Sequence, residues 1–266
     1  MAKVQIGCSG FNYNHWRGNF YPEKLPQRLW FAHYFSVFST VELNVTFYRL
    51  PQLSVFQHWR EQTPDNFQFV IKGSRFITHI KKLKEVEEPL QRFFEAAAGL
   101  GDKLRVVLWQ LAPSFFLDLE RLSRFLELLD RYPVRHAFEF RNESWFNDQV
   151  VELCRAHNAA FCLADWPQYL YEWAPTADFI YLRRHGHGGD YAADYSDEEI
   201  ALDAERIRGY LKDGRDVFIF YNNDALGFAP KNAVRLAEIL NISKVSTPAS
   251  RPRQAKSIGK SRQFVS

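Results

Sequence analysis

Cysteine is scarce in this sequence: Cys8, Cys154 and Cys162 are the only three in 266 residues, and no two are spaced as CxxC. An odd, sparse set excludes a disulfide framework and offers no thiolate site for zinc, which fits a reducing, cytoplasmic setting. Long apolar runs are also missing. Nothing approaches the roughly 18 uninterrupted apolar residues of a membrane-spanning helix, so no membrane association is expected. The N-terminus, MAKVQIGCSG, enters a strand-like run directly, without the apolar block and small-residue cleavage site of a signal peptide. No GxGxxG follows that first run, which argues against a dinucleotide-binding sheet, and no HExxH or comparably tight metal-ligand spacing exists.

Negative charge is absent from the C-terminal end. From residue 241 onward there are six basic residues (Lys244, Arg251, Arg253, Lys256, Lys260 and Arg262) and no acid, leaving 28 basic against 31 acidic residues in 1–240. The overall net charge of +3 therefore hides a mildly acidic body with a basic arm. That arm, rich in Ser, Pro, Lys and Arg, lacks apolar periodicity and is expected to be a disordered tail over residues 244–266. A basic arm can engage nucleic acid, though a solvated extension is the plainer reading.

What is present is a repeating alternation. Eight short apolar runs read as buried parallel strands: 4–9, 40–48, 68–74, 104–111, 135–141, 160–165, 179–186 and 216–224. Segments 89–100, 119–130, 147–158, 197–214 and 230–240 place apolar residues at i, i+3, i+4 and i+7, as amphipathic helices do. Asp148, Ser196 and Asp224 stand where caps or turn formers belong. Strand–helix alternation over about 240 residues implies one α/β domain, residues 1–243, folded as a single (β/α)8 barrel of the TIM type.

In such a barrel, function sits at the strand C-termini. The runs here start apolar and end polar: Ser9 ends the first, Glu42 and Asn44 share the second, and Lys72 and Gln110 close the third and fourth. Glu139 and Arg141 share a face of the fifth, with Phe138 and Phe140 on the other, and Asp165 ends the sixth. Arg183 and His185 finish the seventh, Asn222 and Asn223 the eighth. Ions facing a desolvated interior must neutralise one another or bind something. The expectation is a small-molecule site with Glu42 and Glu139 as general acid or base, Lys72 and Arg183 holding negative charge, and Asn222 and Asn223 orienting the ligand. A purely structural ion network is the plainer alternative. His79, on the loop after the third strand, is a further acid–base candidate.

Aromatic residues crowd the loops: Tyr13 and Trp16 after the first strand, with Tyr48, Trp145, Trp166 and Tyr169 elsewhere. They would form either a stacking surface for a sugar ring or base, or a lid packed on itself. The glycine-rich HGHGGDY (185–191) and the segment entering the last helix suit an anion.

Several ordered blocks resemble one known family: IGCSGFNYNHWRGNFYP (6–22), FSTVELNVTFYRLP (38–51), FVIKGSRFITHIKKL (69–83), LWQLAPSF (108–115), FEFRNESW (138–145), YLRRHG (181–186) and FIFYNNDALGFAPKNA (218–233). These are similar to the YecE-like proteins, domain of unknown function 72 (DUF72). The resemblance spans about residues 4–240 and implies a TIM-barrel fold. It implies that Glu42, Asn44, Lys72, Gln110, Glu139, Arg141, Asp165, Arg183, His185, Asn222 and Asn223 matter, without assigning them roles or a cofactor. Three functions stay open. The first is an enzyme acting on a small polar, sugar- or phosphate-containing molecule. The second is a nucleic-acid-processing barrel using a metal at Glu42, Glu139, Asp165 and His185, and the third is a non-catalytic metabolite binder.

Overall fold

The computed structural model describes residues 1–166, 174–187, 189 and 191–242. The segment expected to be a disordered tail, Tyr169 and part of the glycine-rich 185–191 loop lie outside the described residues. Strands form within every run picked out from sequence: β1 (Val4–Cys8), β2 (Thr40–Leu43), β3 (Gln68–Lys72), β4 (Leu104–Gln110) and β5 (Arg135–Glu139). The sixth run divides into β6 (Ala160–Phe161) and β7 (Leu163–Ala164), followed by β8 (Phe179–Arg184) and β9 (Asp216–Tyr221). The helices are α1 (Trp30–Val37), α2 (Val45–Tyr48), α3 (Leu53–Gln62), α4 (Glu87–Ala97), α5 (Leu119–Leu129), α6 (Asp148–Ala156), α7 (Asp197–Lys212) and α8 (Phe228–Ile239).

The fold is mixed α/β with parallel sheets: one ordered β1-β9-β8-β7 and one ordered β2-β3-β4-β5-β6. The sheets adjoin at two places. A parallel bridge between Ser9 and Glu42 carries β1 onto β2, and only Cys162 separates β6 from β7. Alternation along the strands divides the apolar side chains into two clusters. The larger packs Val41, Leu43, Phe69, Ile71, Phe138, Phe140, Ile180 and Leu182 against the helices. The smaller draws Val70, Val106, Leu108 and Ala137 from one sheet and Phe179, Tyr181, Phe218 and Phe220 from the other, so the two sheets share an inner core.

The second strand is shorter than its run of residues. It stops at Leu43, Asn44 takes a helical conformation (φ −86°, ψ −16°), and residues 45–48 form a single turn. Thr46 makes this possible, since its single hydroxyl proton is donated to the Lys72 carbonyl at 2.5 Å, with the Leu43 carbonyl 3.1 Å from the same oxygen. Helices α1 and α3 have no counterpart in the sequence reading. The first is apolar nearly all round and the second buries only Phe56, so neither shows a clean stripe. Ser196 caps α7 through a capping box with Glu199, as its position suggested. The cap of α6 is Asn147 rather than Asp148, and Asp224 turns its carboxylate to Trp16 and His15 instead of capping α8.

Candidate functional site

Strand parity decides which polar groups meet. Glu139 follows Ala137, Arg183 follows Phe179 and Tyr181, and Asn222 follows Phe218 and Phe220, all inner-core positions. The polar residues therefore continue the inner face toward the strand C-termini. There Arg183, 1% exposed, lies between Glu42 and Glu139, which are 0% and 1% exposed. Its Nε and Nη2 donate to the two oxygens of Glu42 at 3.0 and 2.6 Å, a bidentate pair, while Nη1 donates to Glu139 at 2.6 Å. Ser9 and Tyr181 each add a 2.6 Å hydrogen bond to Glu42. Glu139 also accepts from Gln110 at 3.1 Å and Arg141 at 2.6 Å, and the Trp166 indole nitrogen stands 3.5 Å away.

Burial by itself would raise both carboxyl pKa values, but the guanidiniums and hydroxyl donors outweigh it. Arg183 and its donors hold Glu42 below the ordinary carboxylate value, and Arg141 and Arg183 hold Glu139 well below it. His185 is fully buried with Nε2 3.3 Å from Glu139 and Nδ1 3.1 Å from the Asn222 amide. The amide donates to Nδ1, so the ring hydrogen sits on Nε2 and points at Glu139. Burial first, then Arg183, pushes the His185 pKa down and keeps the ring neutral.

Two carboxylates and two guanidiniums balance, which leaves Lys72 as the odd charge. Its Nζ lies 4.1 Å over the Phe47 ring, and among the described residues no hydrogen bond or ion pair reaches it. Burial, then Arg183, lowers its pKa from the ordinary lysine value to about 7. An aromatic face favours the ammonium by about 0.5–2 kcal/mol. The opposing shift, at ~1.4 kcal/mol per pKa unit, is larger, so a substantial share of the amine is uncharged near neutral pH. His79 packs edge-on against the same Phe47 ring at 4.9 Å. Burial, then the nearby Lys72 charge, drives its pKa down to about 4. His79 sits in a single π turn, Phe76–Ile80, and just beyond it Lys82, Leu83 and Glu85 all have positive φ (47°, 66° and 51°). Left-handed non-glycine residues cost roughly 1–2 kcal/mol each, and such strain concentrates at functional segments.

The other expected residues separate into two groups. Asn44 and Tyr13 stand at the edge of the network: Asn44 Oδ1 is buried without a partner among the described residues, and the Tyr13 hydroxyl donates to the Ser9 carbonyl at 2.7 Å. Arg141 stacks on Trp166, 4.2 Å from the ring centre. By contrast, Trp16 is wholly buried among Tyr13, Phe20, Tyr21 and Tyr34, and Trp145 among Phe115 and Phe140, its indole donating to the Phe115 carbonyl. Asn223 has the opposite parity to Asn222 and bonds Ala193 and Asn232 beside α8. Asp165 accepts the His185 backbone N–H at 2.6 Å and the Tyr195 hydroxyl, anchoring the end of β8. Among the described residues no three His, Cys, Asp or Glu side chains are grouped to hold a metal ion, and Arg183 fills the space between Glu42 and Glu139.

Sequence reasoning passed over Tyr181 and Phe47. Tyr181 reads as one more apolar strand residue in YLRRHG, although inner-face parity with Arg183 was available. Phe47 becomes visible only once residues 45–48 turn. Away from the network, a cavity of about 880 Å³ lies on the helix side of β8, where Arg184 and Asp203 are paired bidentately.

The fold and this site define an α/β protein of parallel sheets with an ionic network at its strand ends. The sequence pattern of the family described as protein of unknown function DUF72 matches residues 5–256, and the chain belongs to that family. The match runs past residue 243 into the basic segment, further than the sequence blocks reached. The chain is 25% identical to the UPF0759 protein YunF of Bacillus subtilis, over 90% of this chain and 95% of that protein. It is 33% identical to the UPF0759 protein YecE of Escherichia coli K12 over 41% of this chain and 40% of that one. The crystal structure of a DUF72 family protein from Thermotoga maritima superposes with a TM-score of 0.81 at 30% identity, over 90% of this chain and 99% of that one. A DUF72 family protein from Enterococcus faecalis, 22% identical, shares the fold with a TM-score of 0.78 over 90% of this chain and 96% of that one. No helix among the described residues is long and apolar enough to cross a membrane.

Proposed function

We propose that the two sheets close into one eight-stranded barrel of the TIM type and that the chain is an enzyme acting on a small polar, sugar- or phosphate-containing molecule at the C-terminal rim. The observation carrying this reading is Lys72: an amine without a partner among the described residues, placed beside an otherwise charge-balanced, fully bonded network. A structural network would have no need of it. Arg183, each of whose nitrogens already donates, keeps Glu42 and Glu139 ionised rather than holding a ligand. The groups left to meet a ligand are Lys72, His79, Gln110, Asn44 and Asn222, while Glu139 stays ionised as the anchor of Gln110, Arg141 and His185.

A thermal-shift screen of sugars, sugar phosphates and nucleotides tests this. A ligand at about 100 times its Kd adds roughly 2.7 kcal/mol of stability, a readily measured rise in melting temperature. The expected hit comes from a sugar or sugar phosphate and is lost in Gln110→Ala and Asn222→Ala, neither of which leaves a buried charge unpaired. No hit in these classes, or a hit indifferent to both substitutions, removes the site from the rim.

A further inference from the structure

We propose that Lys72 is a nucleophile that forms an imine with an aldehyde or ketone carbon of the ligand, which makes the ligand class carbonyl-bearing sugars or sugar phosphates. This rests on the rim-site reading above and narrows it. The geometry is that of an amine held ready and unspent. Nζ sits over the Phe47 ring with no partner among the described residues, at the end of β3, and Lys72 retains 8% of its surface. The titratable groups around it are Glu42 from β2, Glu139 and Arg141 from β5 and its end, Arg183 from β8, and the neutral His79 from the π turn. The carboxylates are tied to the guanidiniums, so neither can hold Lys72 as an ammonium by direct contact. With its pKa near 7, about half of the amine is free at neutral pH, against roughly one part in 3,000 for an ordinary lysine.

The step balances without an outside redox partner. The Nζ lone pair adds to the carbonyl carbon and the carbonyl π pair moves to oxygen. A proton passes from nitrogen to that oxygen, giving a carbinolamine. The second nitrogen proton and the hydroxyl then leave as water, so one amine and one carbonyl yield one imine and one water. His79, neutral and packed on the same Phe47 ring, is placed to carry the proton between nitrogen and oxygen.

The test uses glycolaldehyde, the smallest hydroxyaldehyde, with cyanoborohydride to reduce any imine to a stable secondary amine, followed by peptide mapping of the intact protein. At pH 7 Lys72 is expected to be labelled at least tenfold faster than Lys81, Lys82 or Lys84. Its rate should fall about tenfold per pH unit below 7 and drop to that of the other lysines in urea-unfolded chain. Labelling of Lys72 no faster than those lysines in the folded protein overturns the proposal. A ligand found by thermal shift that depends on Gln110 and Asn222, together with an unreactive Lys72, sinks the imine alone and leaves the rim site standing.

Discussion

Replacing Arg183 by Met is expected to cost about 3–5 kcal/mol at pH 7, the usual penalty for removing one partner of a buried ion pair. Among the described residues the guanidinium is the only group that touches both carboxylates. Without it Glu42 keeps its Ser9 and Tyr181 donors and Glu139 keeps Arg141, so each stays hydrogen-bonded while losing its main counter-charge. The pH dependence then changes sign. In the parent protein both carboxyls titrate below their ordinary values, so their stabilising effect is present above the unfolded pKa of about 4.3 and is lost as pH falls through the folded values. In the variant, burial raises Glu42, the folded state binds the extra proton, and stability falls as pH rises from about 4 to 7. Urea unfolding at pH 5 and pH 7.5 should therefore show a penalty that is larger at the higher pH. A loss under about 1 kcal/mol that does not vary with pH would mean Arg183 is not the counter-charge.

Lys72→Met is expected to do the reverse and stabilise the fold while abolishing its function. Methionine keeps the length of the side chain and suits contact with Phe47. A basic group whose folded pKa is lowered, here from 10.5 to about 7, costs stability wherever the unfolded chain holds the proton. That cost is full below pH 7 and is relieved as pH rises toward the unfolded value, because the unfolded chain binds the extra proton across that window. The variant should gain about 1–3 kcal/mol at pH 6 and nothing by about pH 10, less than the whole shift implies because the site relaxes around a charge. A gain of this kind marks a residue kept for chemistry at the expense of stability. Equal or lower stability of Lys72→Met at pH 6, measured by urea unfolding, would show that Lys72 is an ordinary structural lysine.

The sequence displayed much of this site because β-strands alternate with a period of two. Once Glu139 is placed opposite Phe138, its meeting with Arg183 and Gln110 needs only parallel strands of comparable length. The same rule, applied to neighbouring residues, separates Asn222, which reaches His185, from Asn223, which reaches Asn232. What the sequence concealed depended on tertiary packing. TVELNVTFY has the β-branched pattern of one long strand, yet Thr46 bonding across to the end of β3 bends it into a turn and brings Phe47 beneath Lys72. The loop tryptophans look like ligand platforms from composition, but Trp16 and Trp145 have too much apolar surface to leave wet and are packed inside. Nor does spacing show that Arg183 has its nitrogens spent, since that requires three strands from two sheets at once.

The central claim is that an available amine, about half of it uncharged, stands at this rim at neutral pH. It is tested most directly by NMR titration of the Lys72 ε-methylene in protein carrying 13C-labelled lysine, with the resonance assigned through Lys72→Arg. A midpoint near pH 7, well apart from every other lysine, is the expected result. A midpoint near the ordinary 10.4 would mean that Lys72 is a charged lysine at neutral pH, and the catalytic reading built on it would be wrong.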